Sequence, residues 1–516
     1  GGTQDNNSLF GPSRTLSSSG INNSDWRFTE GGDGFQSQVD WADPNIVYSQ
    51  AQFGEIVRFD KKTGERLALK GFEPAGSSAY RYGWDTPLVL SRHDHKRLYQ
   101  GANKLLRSDD RGESWREISP DLTRGVPKEL HRLMGRSWSI DELATKSDFS
   151  YLTTVAESPV DEKRLYAGSG DGLLHYTRDG GVTWQLPGLP TYARVHQVTA
   201  SPTDANVAYA ACNNFFAGDY APYVYKTSDG GAHWTSLNAN LPVRGSTWTI
   251  AADEVNADLL FVGTMNGVYF SNTAQPDWIK LTNGIPATAE VMDLTIQRRS
   301  HDLVVSTYGR GVFVLDDYTP LRALTPKGLA EPASLFPISD AAMFVPGDPL
   351  GFPGVGFQGA NYFTAPNPEI GAVLTYYVSQ DFKSLKKQRN EAEKKLQEAG
   401  KDVTYPTYDR LKQEDTEEEP YLVFAISDAD GRLVSKIKKP IKAGVHRATW
   451  DLRTSPTGPI ALQPPSDPAP WDSPDRGYML APGTYKVQLY RYQDGVLTAM
   501  GAPQSVSCEP LNLASI

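Results

Sequence analysis

Acidic side chains set among glycines, hydroxyl residues and aromatics are the groups of this sequence best suited to chemistry. Asp171 lies in Ser-Gly-Asp-Gly (169–172), Asp219 in Ala-Gly-Asp-Tyr (217–220), and Asp5 between Gln4 and Asn6. Glycoside hydrolysis needs two carboxyl groups roughly 5–10 Å apart, one to protonate the leaving oxygen and one to attack or to activate water. No spacing pairs any two of these three, and Asp171 also has the flanking residues of a plain turn. Clamping a carboxylate substrate takes converging guanidinium forks; only Arg310, between Gly309 and Gly311, sits in a loop suited to that. His93-Asp-His95 lacks a third ligand at zinc spacing and reads as a surface turn. The acidic run 417–419 reads as a solvated turn. Nucleophile elbow, phosphate loop and zinc signature are all missing. No catalytic residue is therefore assigned, and neither metal nor cofactor is expected. Gln4, Asp5, Asn6, Asp171, Asp219 and Arg310 stand as candidate binding residues.

The elements that must position these residues announce themselves as repeats. Residues 108–115 (SDDRGESW), 177–184 (TRDGGVTW) and 227–234 (TSDGGAHW) share the pattern Ser/Thr-x-Asp-x-Gly-x-x-Trp, known as an Asp-box. Residues 271–278 keep only its two ends, and successive tryptophans lie 69, 50 and 44 residues apart. In each box the Ser108, Thr177 or Thr227 hydroxyl and the Asp110, Asp179 or Asp229 carboxylate suit local backbone bonds. Gly112, Gly181 and Gly231 suit a positive φ. Trp115, Trp184 and Trp234 are expected to be largely buried between neighbouring units. The boxes thus read as structural staples rather than catalytic groups.

Before each box runs the same phrase of alternating strands, as in 163–168 (KRLYAG), 206–209 (NVAY), 260–264 (LFVGT) and 303–307 (LVVST). Strand, turn, strand, loop, strand, box hairpin, strand is one four-stranded propeller blade. Gly1-Gly-Thr aligns with the second strand of such a blade, and the last unit has no box behind it. The fold expected for 1–318 is therefore an all-β Asp-box propeller, seven-bladed, with an incomplete first blade. Residues upstream of Gly1 are expected to complete that blade and to carry a second propeller, since an unpaired blade edge is costly.

These boxes resemble those of the Asp-box (BNR) propellers, a set that includes sialidases, xyloglucanases and sortilin/Vps10 receptors. Six phrases make the likeness closer: 1–6 (GGTQDN), 121–123 (DLT), 135–141 (GRSWSID), 308–317 (YGRGVFVLDD), 365–372 (APNPEIGA) and 450–453 (WDLR). In this order they resemble the C-terminal half of secreted bacterial sortilin-like BNR-repeat proteins, which are often labelled glycosyl hydrolases. The resemblance implies an extracytoplasmic location but no established reaction. The Arg-Ile-Pro element and the arginine triad of sialidases are missing.

Beyond residue 318 the pattern changes. Residues 319–360, rich in Pro and Gly, read as a linker lying against the propeller. Residues 361–516 carry short alternating strands that suggest an immunoglobulin-like β-sandwich. Inserted at 383–414 is a charged helical hairpin with one thin apolar stripe, chiefly Leu385 and Leu396.

Composition narrows the function. The 516 residues carry a net charge of −10, which disfavours nucleic acid and anionic membrane as partners. No apolar run is long enough to span a membrane, and two cysteines make no disulfide framework. The function expected is an extracytoplasmic binding or scaffold protein whose propeller takes peptide or protein. The alternative is a xyloglucanase-like glycoside hydrolase whose cleft is shared with an upstream propeller.

Overall fold

The structure is a computed structural model. It describes every residue except 131–132, 144–148, 190–192, 275, 349–350, 352–362, 459–475, 494 and 512–516, and of 326–327 only the backbone. The chain forms two compact units, Gly1–Ser13 with Asn22–Tyr318, and Arg14–Ile21 with Thr319–Ile516.

The first unit is a propeller of antiparallel meanders. One sheet runs Thr247–Ala252, Leu259–Thr264, Gly267–Asn272, Ile279–Leu281, each strand paired with the next. Its first three strands are buried along their whole length, which fits their runs of small and apolar residues. Gly267, at φ +110°, makes the sharp return between the second and third. Sheets of the same order begin at Ser37–Val39, Leu88–Leu90 and Arg194–Ala200. The sheet beginning at Leu152–Glu157 has three strands, with a single bridge from Tyr176 to Gln185 in the fourth place. The last sheet, Val291–Gln297, Asp302–Thr307 and Val312–Leu315, also has three. At the N-terminus Ser8–Phe10 pairs with Arg27–Glu30, and Gly2 bridges to Ser8, giving a partial seventh blade. First strands of successive sheets pack side by side: Leu152–Glu157 on Arg194–Ala200, that strand on Thr247–Ala252, and that in turn on Val291–Gln297.

The box hairpins tie each sheet to the one before. In all three the hydroxyl of Ser108, Thr177 or Thr227 donates to the aspartate and accepts the amide of the box glycine. The carboxylate accepts the amide four residues on, from Ser114, Thr183 or His233. Gly112, Gly181 and Gly231 have φ of +90°, +99° and +105°. A Cβ on any of them would come within 2.6–2.8 Å of Leu69, Ile118 or Tyr176. Glycine is thus required twice, by conformation and by the closeness of the adjoining sheet.

The indoles differ from the expectation of full burial. Trp234 is buried against Tyr166 and Tyr176, but Trp115 and Trp184 are only half-buried. Their N–H groups reach back to the preceding sheet, Trp115 to the Leu69 carbonyl at 2.6 Å and Trp184 to that of Ile118 at 2.9 Å. The hydrogen bond holds one edge of each ring at the sheet while the other stays wet, the amphipathic use natural to tryptophan. Trp278, from the degenerate fourth box, is buried and donates to the Leu237 carbonyl at 2.9 Å.

The second unit is a sandwich. One sheet has the order Ala333–Leu335, Ala372–Val378, Gly444–Trp450; the other has Ala341–Met343, Gln504–Pro510, Gly483–Gln493, Tyr421–Ser427, Leu433–Pro440, with Val496–Ala499 hairpinned on Gly483–Gln493. Alternation decides which side chains go inside: Leu422, Phe424 and Ile426, beside Val487 and Leu489 of the same sheet, share one core with Leu374 and Trp450 of the other. Within 319–360, expected as a linker, the described runs 333–335 and 341–343 are strands of the two sheets of the second unit. Each run is only three residues long, too short to stand out among prolines and glycines. The pairing of 341–343 with 504–510 is parallel, so the sandwich is not purely antiparallel. Residues 14–21, expected within the propeller, also join this unit, where Asn367 accepts the Thr15 amide at 2.7 Å and donates to the Ser17 carbonyl at 2.7 Å.

The inserted helices are Leu385–Glu398 and Tyr408–Thr416. No residue of the first is buried, so the expected apolar stripe does not join them. An ion-pair clamp does: the Arg389 guanidinium binds Glu414 at 3.0 Å and Glu393 at 2.8 Å.

Candidate functional site: the propeller mouth

Meander topology sorts the turns of the first unit into two ends. The starts of the first strands share one end with the turns between second and third strands. The box hairpins and the turns between first and second strands share the other. Asp5, Asp171, Asp219 and Arg310 all fall in second-to-third turns, at the end away from the boxes.

At that end the starts of three first strands are knotted together. Tyr151 donates its hydroxyl to Asp85 at 2.9 Å, and the Arg194 guanidinium binds the same carboxylate at 3.1 Å and the phenol oxygen at 3.2 Å. Gly83 admits this arrangement, because a Cβ there would overlap the Tyr151 ring. Burial, above all, drives the Tyr151 hydroxyl far above its ordinary pKa, so it stays a donor. Below the knot Gln197 accepts from the Thr249 hydroxyl at 2.6 Å and the Ile250 amide at 2.7 Å, and its own amide points at Asp293 at 3.4 Å. At the box end the Arg92 guanidinium grips Glu254 at 2.8 Å, and Arg298 joins it at 3.0 Å.

Aromatic rings flank the knot. On one side Trp84, next to Asp85, meets Phe53 edge-on at 5.0 Å. Phe53 is exposed and has φ +60°, an unfavourable conformation for a bulky residue. On the other side Trp248 meets His196 at 5.0 Å and Phe215 at 5.2 Å, and Phe215 lies against Phe216 at 4.1 Å. Burial first, then the charge of Arg194, pushes the His196 imidazole down to about 4, so it is neutral at physiological pH. Burial raises the Glu290 carboxyl, and the nearby Trp248 indole offsets part of that rise. The indole N–H nevertheless has no acceptor in hydrogen-bond geometry among the described residues. Asp293 is likewise raised by burial and lowered by the Leu294 amide and by Gln197.

The residues singled out from sequence take different places at this end. Asp171 is buried, bonding Ser169 at 2.5 Å, Ser150 at 2.8 Å and the Arg124 amide at 2.8 Å. Asp219 accepts from Tyr223 at 2.6 Å and from the Ala221 amide at 3.0 Å. Both hold their own loops. Asp5 has φ +61° and gives its amide to Asp33 at 2.8 Å, while the Asn6 side chain donates to the Gln4 carbonyl at 3.1 Å. Arg310 is exposed in a Gly-Arg-Gly turn. None of these residues bonds to another across the mouth in the described contacts. His93 and His95 turn to different partners, the Ser158 carbonyl and Asp40.

Asp85, Tyr151, Arg194, His196, Trp248 and Glu290 are the mouth residues that sequence reasoning missed. Their shared signal is position: each stands at or just before the start of a first strand. Two surface hollows of about 190 and 290 Å³ are present, one lined by Arg58, Arg111 and Glu113, the other by Arg124, Leu173 and Leu186 beside the Asp171 turn. The first falls below the roughly 300–1,000 Å³ usual for small-molecule sites, and the second is at its lower edge.

No family model matches the chain, and no curated protein matches it. Solved structures similar to it include an ancestral GH74 enzyme (13% identity, TM-score 0.40, 58% of this chain and 37% of that one). Another is the extracellular domain of a putative hybrid two-component system from B. thetaiotaomicron (10%, 0.40, 95% and 53%). A third is the GH74 xyloglucanase from Xanthomonas campestris (14%, 0.42, 90% and 79%). The chain thus spans about half or less of the length of the first two. Likeness this slight is no basis for function, which rests on the mouth's own geometry.

Proposed function

We propose that the first unit is an extracytoplasmic binding propeller that takes a peptide or protein segment across its mouth, in the manner of sortilin-like BNR proteins. The observation that carries this reading is the pair of aromatic clusters on either side of a charge-neutralised knot, exposed Phe53 with Trp84 on one and half-buried Phe215 and Phe216 over the buried Trp248 on the other. Aromatic rings supply large contact area at low entropic cost, the usual anchor of protein recognition. The carboxylate of the knot is engaged by Arg194 and Tyr151 and is not free for acid–base work. Asp171 and Asp219 are likewise engaged.

Glu290 favours the second reading, glycoside hydrolysis. A carboxyl raised by burial beside an indole suits a general acid. The reaction needs a second free carboxylate, and the mouth carboxylates with known partners, Asp85 and Asp293, are held. A random-sequence peptide array and a panel of xyloglucan oligosaccharides decide between them. Peptide binding without release of reducing ends is expected. Cleavage that disappears in Glu290→Gln would replace the binding reading with the hydrolase.

A further inference from the structure

Two exposed guanidinium groups stand at the mouth without a carboxylate. At the box end Arg92, Arg97, Arg107, Arg111 and Arg164 each hold one at 2.7–3.2 Å. Arg136 and Arg244 make no such pair among the described residues. Carboxylates are not scarce, for the chain has 61 Asp and Glu against 51 Lys and Arg. Each guanidinium is laid on an aromatic ring instead. That of Arg136 lies 3.5 Å from the centroid of Trp138, and that of Arg244 5.5 Å from the centroid of Tyr220. A ring covers one face of the group and leaves open its N–H edges, which fork onto a carboxylate.

A tight turn holds the Arg136 side. Leu133 and Arg136 exchange backbone bonds at 3.0 and 3.2 Å around Met134 and Gly135, whose φ values are +53° and +77°. Positive φ at both centres is the geometry of a two-residue hairpin, and methionine is an unusual choice for it. The Trp138 indole donates to the Leu133 carbonyl at 2.8 Å, fixing the ring on which Arg136 rests. The Met134 amide bonds the Phe216 carbonyl, which joins the turn to the aromatic cluster of the mouth. Arg244 joins the same stretch four residues on, where the Gly245 amide donates to the Tyr220 carbonyl at 2.9 Å. The nearby carboxylates are engaged elsewhere. Glu142, near enough to feel the charge of Arg136, accepts the Ser139 amide at 2.9 Å and hydroxyl at 3.0 Å. Asp219 accepts from Tyr223 and from the Ala221 amide.

We propose that the segment the mouth takes is an acidic peptide, two of whose carboxylates pair with Arg136 and Arg244 beside the Phe215 and Phe216 rings. This rests on the peptide-binding reading and narrows it to one partner chemistry. Guanidinium groups already laid on rings lose little freedom on binding. Their charge also draws an acidic segment to the mouth of a chain whose net charge of −10 would otherwise repel it. Selectivity lies in these two side chains, not in bulk charge.

The test is a random-sequence peptide array in which each peptide is paired with a copy carrying Asn and Gln in place of its Asp and Glu. Among binders of the whole chain, the acidic member is expected to bind at least about tenfold more tightly. In Arg136→Gln with Arg244→Gln that ratio should fall to about one. Reading a ratio guards against partial unfolding, which weakens both members alike. Arg299→Gln, an exposed change in a box-end turn, should leave the ratio as it was. Binding without preference inside the pairs overturns the inference and leaves the peptide reading standing. So does a ratio that survives the double change, or one that falls equally with Arg299→Gln. An array with no binder overturns both. Tighter binding to oligogalacturonate than to any acidic peptide would make the partner an acidic glycan, and overturns the proposal as well.

Discussion

The box hairpins and the knot at the mouth are built by opposite means. At the box end each hairpin is stapled by residues within eight positions of one another, from hydroxyl to carboxylate to glycine to indole. At the mouth the contacts join Asp85, Tyr151 and Arg194, contributed by three sheets and spread over more than a hundred residues. Local staples make the blades rigid one at a time. The knot exists only once the blades stand side by side, and it places its aromatic flanks accordingly. The staples lie at one end, and the proposed recognition surface lies at the other.

The largest effect expected is at the scaffold end. Trp234→Ala should destabilise the chain by about 3–5 kcal/mol in denaturant unfolding, the cost of emptying a large buried site. Trp184→Ala, whose ring is half-wet, should cost about half as much. Equal costs would show that the hydrogen bond to Ile118, rather than burial, carries the staple. At the mouth, Arg194→Met should cost about 1–3 kcal/mol, since it strands the Asp85 carboxylate without its cation. It should also abolish peptide binding, which Trp184→Ala should leave intact. Loss of binding from the box-end change would dissolve the division of labour.

The box hairpins were legible because their chemistry is local. Side chains, turn and spacing all lie inside one octapeptide, so Asp110, Asp179 and Asp229 could be read as turn groups from residue type alone. The half-burial of Trp115 and Trp184 was not legible, because it depends on the carbonyl of a different sheet. The mouth was hidden for the same reason carried further. Arg194 and His196 sit in an ordinary strand, Arg-Val-His-Gln, and nothing in that string names Asp85 or Trp248 as neighbours. The strands at 333–335 and 341–343 were missed because their partners, Ala372–Val378 and Gln504–Pro510, lie far along the chain.

Acid should separate the two ends with smaller effects. His196 is held down to about 4 from 6.5, so its contribution to stability is complete above 6.5 and is lost as pH falls to about 4. Asp179 is held down to about 2 from 3.8, first by the Thr183 hydroxyl and then by its amide. Its contribution is present above 3.8 and is lost as pH falls through about 2. Melting temperature should therefore drop in two steps, the upper weakened by His196→Gln and the lower by Asp179→Asn. A single step unaffected by His196→Gln would mean that the imidazole is not buried beside Arg194.

Recognition is proposed to belong to the mouth. The most direct test is peptide-array affinity measured for Phe53→Ala, an exposed mouth ring, beside His233→Ala, an exposed change in the third box. Phe53→Ala is predicted to lower affinity at least about tenfold, in the range of an aromatic anchor, while His233→Ala leaves it unchanged. Undiminished binding in Phe53→Ala, or an equal loss in both variants, would contradict it.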